Sequence, residues 1–173
     1  MENLALNDGR VLILRQARES DYDALNIYLD KLGHETTFTT QYPGRPPGNR
    51  EKFERALKES LFLLAWDGDK IVGMISSYIH RPDHIWENKV CSFGIHMLED
   101  YYHSGLSTRL MASLENWARE NKMHRIEGTV RAKNRRAISL YLKWGFELEG
   151  LRRENACING EWESEYYIGK LLD

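Results

Sequence analysis

Apolar positions along the chain follow two periods, near two and near 3.6 residues, and their succession predicts a mixed α/β protein. Val11 to Leu14 reads as a short strand behind the turn-like Asn7-Asp8-Gly9. Ser20 opens a capping box with Asp23, ahead of Leu25, Tyr28, Leu29 and Leu32 at helical spacing, and Gly33 is the expected stop. Tyr42 to Asn49 holds three of the four prolines and reads as an ordered loop, after which Phe53, Ala56 and Leu57 predict a second helix. The apolar runs Leu61 to Trp66 and Ile71 to Tyr78 flank Asp67-Gly68-Asp69-Lys70, a hairpin signal. A third run, Lys89 to Met97, precedes a turn with a single glycine. Beyond it Leu110, Met111, Leu114, Trp117 and Ala118 share one helical face. Arg125 to Val130 reads as a strand, and Asn159-Gly160 marks a hairpin whose last strand is Tyr166 to Leu171. No internal repeat or low-complexity tract interrupts the series.

Composition narrows the class. The 173 residues suit a single domain over 1–173, with 29% charged and 42% apolar residues, as in soluble globular proteins. A net charge of -2 gives no global reason to expect nucleic acid. Cys91 and Cys157 are the only cysteines, which supports neither a disulfide framework nor a metal-ligand set. No basic and apolar leader opens the chain and no apolar run reaches the roughly 18 residues of a membrane helix. The expectation is a cytoplasmic protein without metal, membrane or nucleic-acid partners.

Two segments carry candidate chemistry. In Tyr101 to Leu110, YYHSGLSTRL, a turn enters a helix, where unpaired backbone N–H groups and the positive end of the helix dipole suit an anion. Gly105 permits close approach of a phosphate, and Ser107 and Thr108 can cap the helix or add hydroxyl donors; an ordinary strand-to-helix turn reads the same way. In Asn134 to Gly150, NRRAISLYLKWGFELEG, Asn134 is placed to cap a helix and Tyr141 to pack with Leu140 and Trp144. Arg135 and Lys143 read as solvated charges, with a phosphate as their alternative partner.

Ile95 to Leu110 followed by Val130 to Gly150 resembles the two central motifs of the GNAT superfamily of acyl-CoA-dependent N-acetyltransferases. The family's turn carries Arg or Gln, two variable residues, Gly, one variable residue, then Gly or Ala. Here Tyr102, His103, Ser104, Gly105, Leu106 and Ser107 stand at those positions, so the central glycine is retained and the ends differ. The second motif matches at Asn134, Ala137, Leu140, Tyr141, Lys143, Gly145, Phe146, Glu149 and Gly150. The resemblance implies a twisted mixed sheet of six or seven strands with helices on both faces and central strands splayed around the cofactor. It also implies acetyl-CoA as co-substrate, bound by the backbone of Ile95, His96 and Met97 and of Tyr102 to Thr108. Asn134, Ala137, Tyr141 and Lys143 would complete that set. Gly94 reads equally as a bulge or an ordinary strand glycine.

By the same resemblance Tyr141 is the general acid that protonates the leaving thiolate; the residues alone leave it as a core tyrosine. Many relatives carry a Glu base where this chain has Ser92, so the proton acceptor is open among His84, Glu87, His96 and water held by Ser92. The acceptor amine, on a small molecule or a peptide N-terminus, would be shaped by Gly33 to Asn49 and Glu154 to Trp162. Glu35, Phe38, Tyr42, Trp162 and Glu163 suit a cationic amine there. A homodimer is expected from Trp162, Tyr166 and Tyr167 on the last hairpin. The competing reading is a non-catalytic CoA-binding module of the same fold.

Overall fold

In the computed structural model, which describes residues 1–172, the strands are β1 (Glu2–Ala5), β2 (Val11–Gln16), β3 (Leu61–Asp67), β4 (Lys70–Ile79), β5 (Val90–Met97), β6 (Arg125–Arg131), β7 (Glu147–Ile158) and β8 (Glu161–Leu171). Helices α1 (Tyr22–Glu35), α2 (Arg50–Glu59), α3 (Leu106–Glu120) and α4 (Arg135–Lys143) join them. The strands form one open mixed sheet in the order β1-β2-β3-β4-β5-β6-β8-β7. The chain packs as two units, Met1–Tyr78 with Gly94–Trp117, and Ile79–Phe93 with Ala118–Asp173. Strand β5 contributes to both.

In the first unit, β1 to β4 form an antiparallel meander through pairs such as Leu4↔Leu12, Leu14↔Ala65 and Leu64↔Met74. Leu12 and Leu14 are buried while Val11 and Ile13 are exposed, the alternation of a strand with one covered face. Leu25, Tyr28 and Leu32 bury one face of α1, and Leu106, Leu110, Met111 and Leu114 bury one face of α3. Two expectations about α1 are corrected. Ser20 does not cap it; it lies in a 3₁₀ turn, Glu19–Asp21, where buried Asp21 accepts from the Arg18 amide at 2.8 Å. Arg15 also holds Asp21 through two bonds of 2.6 and 2.8 Å, and this bidentate pair anchors the helix entrance to β2. Gly33 does not stop the helix, which runs two residues further to Glu35. Its role is close approach, because a Cβ at position 33 would sit 2.8 to 3.0 Å from the Tyr42 backbone.

In the second unit, β5 meets β6 in a parallel ladder of three pairs, Val90↔Arg125, Cys91↔Ile126 and Ser92↔Glu127. The ladder ends there, and at the next step the Phe93 ring lies against Gly128, 3.3 Å from where a Cβ would stand. Strand β8 pairs antiparallel with β6 and β7, and β7 is irregular at Leu148/Gly150 and Arg152/Ala156. Asn159 and Gly160 both have positive φ, 52° and 85°, as a two-residue hairpin turn of primed type requires. Arg125 grips Glu149 in a bidentate pair that spans from β6 to the edge strand β7.

The sheet has eight strands where six or seven were expected. Strand β1 is four residues long and opens the chain, and β7 is exposed along most of its length, so neither shows a clear alternating pattern.

Gly33→Ala is expected to lose about 1 to 3 kcal/mol of stability, the usual cost of overpacking, because backbone rather than a mobile side chain stands in the way. Urea unfolding measures it; an unchanged midpoint would show that the loop at Tyr42 is not held against α1.

Candidate functional site

The turn before α3 is braced from several directions. The Ser104 hydroxyl donates to the Tyr101 carbonyl at 2.6 Å and accepts weakly from the Leu106 amide at 3.4 Å. The Ser104 carbonyl accepts from the Asn7 amide at 2.9 Å. Tyr101 donates to Asp67 at 2.6 Å while the Arg10 guanidinium stacks 4.1 Å above its ring. Gly105 sits at φ 91°, in the left-handed region, and a Cβ there would press on the Asn7 side chain at 3.2 Å. The first bond of the helical ladder runs from the Arg109 amide to the Gly105 carbonyl at 3.3 Å, so the Ser107 and Thr108 amides precede it. Buried Ser104 holds the turn together, and the donors left for an anion are main-chain amides at the positive end of a 15-residue helix. Half-buried Tyr102 and Ser107 and exposed His103 and Thr108 surround them; His103 has φ 62°, the second left-handed residue of the turn.

Ile95, His96 and Met97 end β5, all half-buried. The His96 Nδ1 is shielded from solvent and has no hydrogen-bond partner, and burial pushes the imidazole down to about 4. His96 is therefore a poor proton acceptor at neutral pH. A Cβ at Gly94 would meet only ordinary contacts, 3.7 Å from the His96 ring and 3.9 Å from Ser76, so the fold does not itself demand glycine there.

In the second unit, the Asn134 side chain accepts from the Ala137 amide at 3.1 Å and caps α4. The capped helix presents Tyr141, 8% exposed, in an aromatic cluster with Phe93 at 5.5 Å and Phe146 at 5.8 Å between centroids. The Phe93 contact is edge-on, with rings 86° apart. Burial holds the Tyr141 phenol well above its ordinary pKa, so it keeps its proton at neutral pH. Arg135 and Lys143 are exposed, and Ala137 is half-buried beneath the cap.

A histidine outside the sequence-derived set completes this unit. His80 Nε2 lies 2.5 Å from Ser92 Oγ and 3.4 Å from Glu127 Oε1, and Glu127 is held in turn by Arg125 Nε at 2.7 Å. The loop between β4 and β5 hides the register that would have paired His80 with Ser92. The other proton-acceptor candidates stand apart: His84 accepts from the Trp86 amide at 3.3 Å, and Glu87 is paired with Arg81 at 3.0 Å.

Among the acceptor-side residues, Glu35 accepts from the Glu99 amide at 2.9 Å, and Phe38, Tyr42 and Trp162 are exposed. Glu163 is buried; its Oε1 meets Lys133 at 2.9 Å, while Oε2 is shielded and has no hydrogen-bond partner. Among the described residues no group of three or more His, Cys, Asp or Glu side chains is arranged to hold a metal, and no helix is long and apolar enough to cross a membrane.

Known proteins resemble this chain in sequence and in fold. The family model described as acetyltransferase (GNAT) family matches residues 24–146. The chain is 28% identical over 166 residues to L-amino acid N-acetyltransferase AaaT of Escherichia coli (strain K12), covering 92% of this chain and 98% of that protein. The structure of an acetyltransferase of the GNAT family from Streptococcus pneumoniae superposes with a TM-score of 0.84 at 25% identity, over 94% of this chain and 99% of that one. That of yncA, a putative acetyltransferase from Salmonella typhimurium solved with its cofactor acetyl-CoA, superposes with a TM-score of 0.78 over 94% of each chain; at 16% identity the likeness is one of fold.

The depressed His96 pKa has a consequence for stability. Above its ordinary value of 6.5 the imidazole is neutral in both states; as pH falls toward about 4 the unfolded chain takes up a proton that the folded chain refuses. Folding stability is expected to drop through that window, and His96→Phe to flatten the drop relative to wild type. Parallel denaturant titrations across the window check this; superimposable pH profiles would place His96 in contact with water.

Proposed function

We propose, since the chain belongs to the acetyltransferase (GNAT) family and is an acyltransferase, that it moves the acetyl group of acetyl-CoA to the primary amine of a small molecule or a peptide N-terminus. The observation that carries this reading is the Asn134-capped helix holding a buried, protonated tyrosine edge-on to Phe93 of β5. When an amine attacks a thioester the C–S bond breaks toward a thiolate, and a phenol beside the sulfur supplies the proton that neutralises it. The family membership and the N-acetyltransferase relative favour an enzyme over a non-catalytic CoA-binding module.

The main-chain groups of Ile95, His96 and Met97 are the proposed partners of the pantetheine arm. The amides from His103 to Thr108 would take the pyrophosphate; the Tyr102 amide, expected to join them, instead donates to the Glu99 carbonyl at 2.9 Å. Asn134, Ala137 and Tyr141 are assigned to the thioester end and Lys143 to a phosphate. Bound acetyl-CoA supplies the activated acetyl group; the chain supplies binding, orientation and the proton. L-amino acids are the first acceptors to test, following the activity in the name of the Escherichia coli relative. Exposed Leu148, Leu151, Trp162 and Tyr167 on β7 and β8 support the expected homodimer.

Purified protein given acetyl-CoA and the protein L-amino acids, with a dipeptide in parallel, is expected to release thiol only when an acceptor is present. Tyr141→Phe keeps the ring and its packing, so turnover is expected to fall by about 10²-fold while melting temperature and affinity for coenzyme A change little. A folded variant with wild-type turnover would remove Tyr141 from the chemistry.

A further inference from the structure

We infer that Ser92 and His80 form the proton path from the attacking amine, with His80 as the proton acceptor and Glu127 stabilising its charged form. The inference rests on the acetyl-transfer reading and adds to it the nitrogen side of the reaction. Three residues from different parts of the chain meet at one imidazole nitrogen: Ser92 from β5 at 2.5 Å, Glu127 from β6 at 3.4 Å, and His80 itself just beyond β4. Ser92 and Glu127 are also the last paired residues of the β5·β6 ladder. The imidazole thus sits where these two strands stop pairing.

The neighbouring residue, Phe93, carries the contact to Tyr141. Successive residues of a strand point to opposite faces. The sulfur-side proton donor is therefore braced through one residue of β5 and the nitrogen-side acceptor through the next. A thioester held along this strand would have the two groups on different sides, as a reaction that makes a bond to nitrogen while breaking one to sulfur requires.

The trio is not built to make Ser92 an acyl acceptor. A nucleophilic Ser–His–carboxylate set places the carboxylate on the imidazole nitrogen away from the hydroxyl. Here hydroxyl and carboxylate share Nε2. With the neutral ring protonated on Nδ1, Nε2 accepts from the Ser92 hydroxyl; once protonated, Nε2 donates back to Ser92 and faces the Glu127 carboxylate. Arg125 Nε holds the other oxygen of Glu127 at 2.7 Å, which fixes the carboxyl group beside the ring. The ring is half-exposed, 39% of its side-chain surface, which lets it return the proton to water.

The protons balance. An alkylammonium loses two on becoming an N-alkyl amide. One passes from the amine to Ser92 Oγ as the Ser92 proton moves to His80 Nε2, and leaves to solvent from the ring. The other replaces the proton that Tyr141 gives to sulfur as the C–N bond forms and the C–S bond breaks.

The test is the pH dependence of kcat/KM for acetyl transfer to the best L-amino acid acceptor, in wild type, His80→Gln, Ser92→Ala and Glu127→Gln, with amide product identified by mass and folding checked by thermal melting. Wild type should lose activity as pH falls through the imidazole range. His80→Gln and Ser92→Ala should fall about 10²-fold near neutral pH and His80→Gln should lose that limb, with affinity for coenzyme A retained. Glu127→Gln should keep the limb and lose less activity than His80→Gln, because the proton acceptor itself remains. An active wild type whose limb survives in folded His80→Gln overturns the inference alone, as does a Glu127→Gln variant that is dead while His80→Gln is active. A folded wild type that acetylates no amine overturns the functional reading and this inference together.

Discussion

The β5·β6 ladder is parallel and only three pairs long, and the candidate chemistry gathers at its end. Backbone N–H and C=O groups must be paired somewhere, so the point at which two strands stop pairing is where main chain is free to bind something else. In this protein the last pair, Ser92↔Glu127, bonds to His80, and the step after it sets the Phe93 ring on Gly128 and against Tyr141. A Cβ on residue 128 would meet the Phe93 ring at 3.3 Å, so the glycine lets the aromatic cluster form at this step. The cap of α4, the depth of Tyr141 and the position of the histidine all refer to this short segment of β5.

The two proposed proton carriers sit in different electrostatic surroundings. Tyr141 is surrounded by rings, and desolvation alone keeps its phenol protonated, which suits a donor that must hold its proton until a thiolate develops. His80 is half in water, with the Ser92 hydroxyl and the Glu127 carboxylate at one ring nitrogen. His96, two residues beyond Gly94, shows the opposite limit: with its Nδ1 shielded and without a partner, it stays neutral at neutral pH. The turn before α3 adds main-chain donors and a helix dipole, with Ser104, Asn7, Tyr101 and Arg10 spent on holding its shape.

Much of this was legible in the chain. The helix stripe of α3, the Asp67–Lys70 and Asn159–Gly160 turns and the Asn134 cap with Tyr141 downstream are local signals, and the structure forms each of them. Short-range pattern reading failed where long-range contacts decide. Gly33 carries a helix-stop signature, yet it serves a close approach by Tyr42 nine residues on. Strand β7 is exposed, irregular and held by Arg125, so no alternation marks it. The His80–Ser92–Glu127 contact was invisible for the same reason, since it depends on how three segments align in the sheet and none of the three residues is unusual in its own segment.

The central claim is that main-chain groups at the end of β5 and at the start of α3 hold acetyl-CoA, and amide chemical shifts of the ¹⁵N-labelled protein titrated with acetyl-CoA test it most directly. The account predicts saturable shifts at Ile95, Met97, Gly105 and Thr108, with the amides of β1 and α2 unmoved. Saturable binding that leaves those four amides unchanged, or no binding at all, would contradict it.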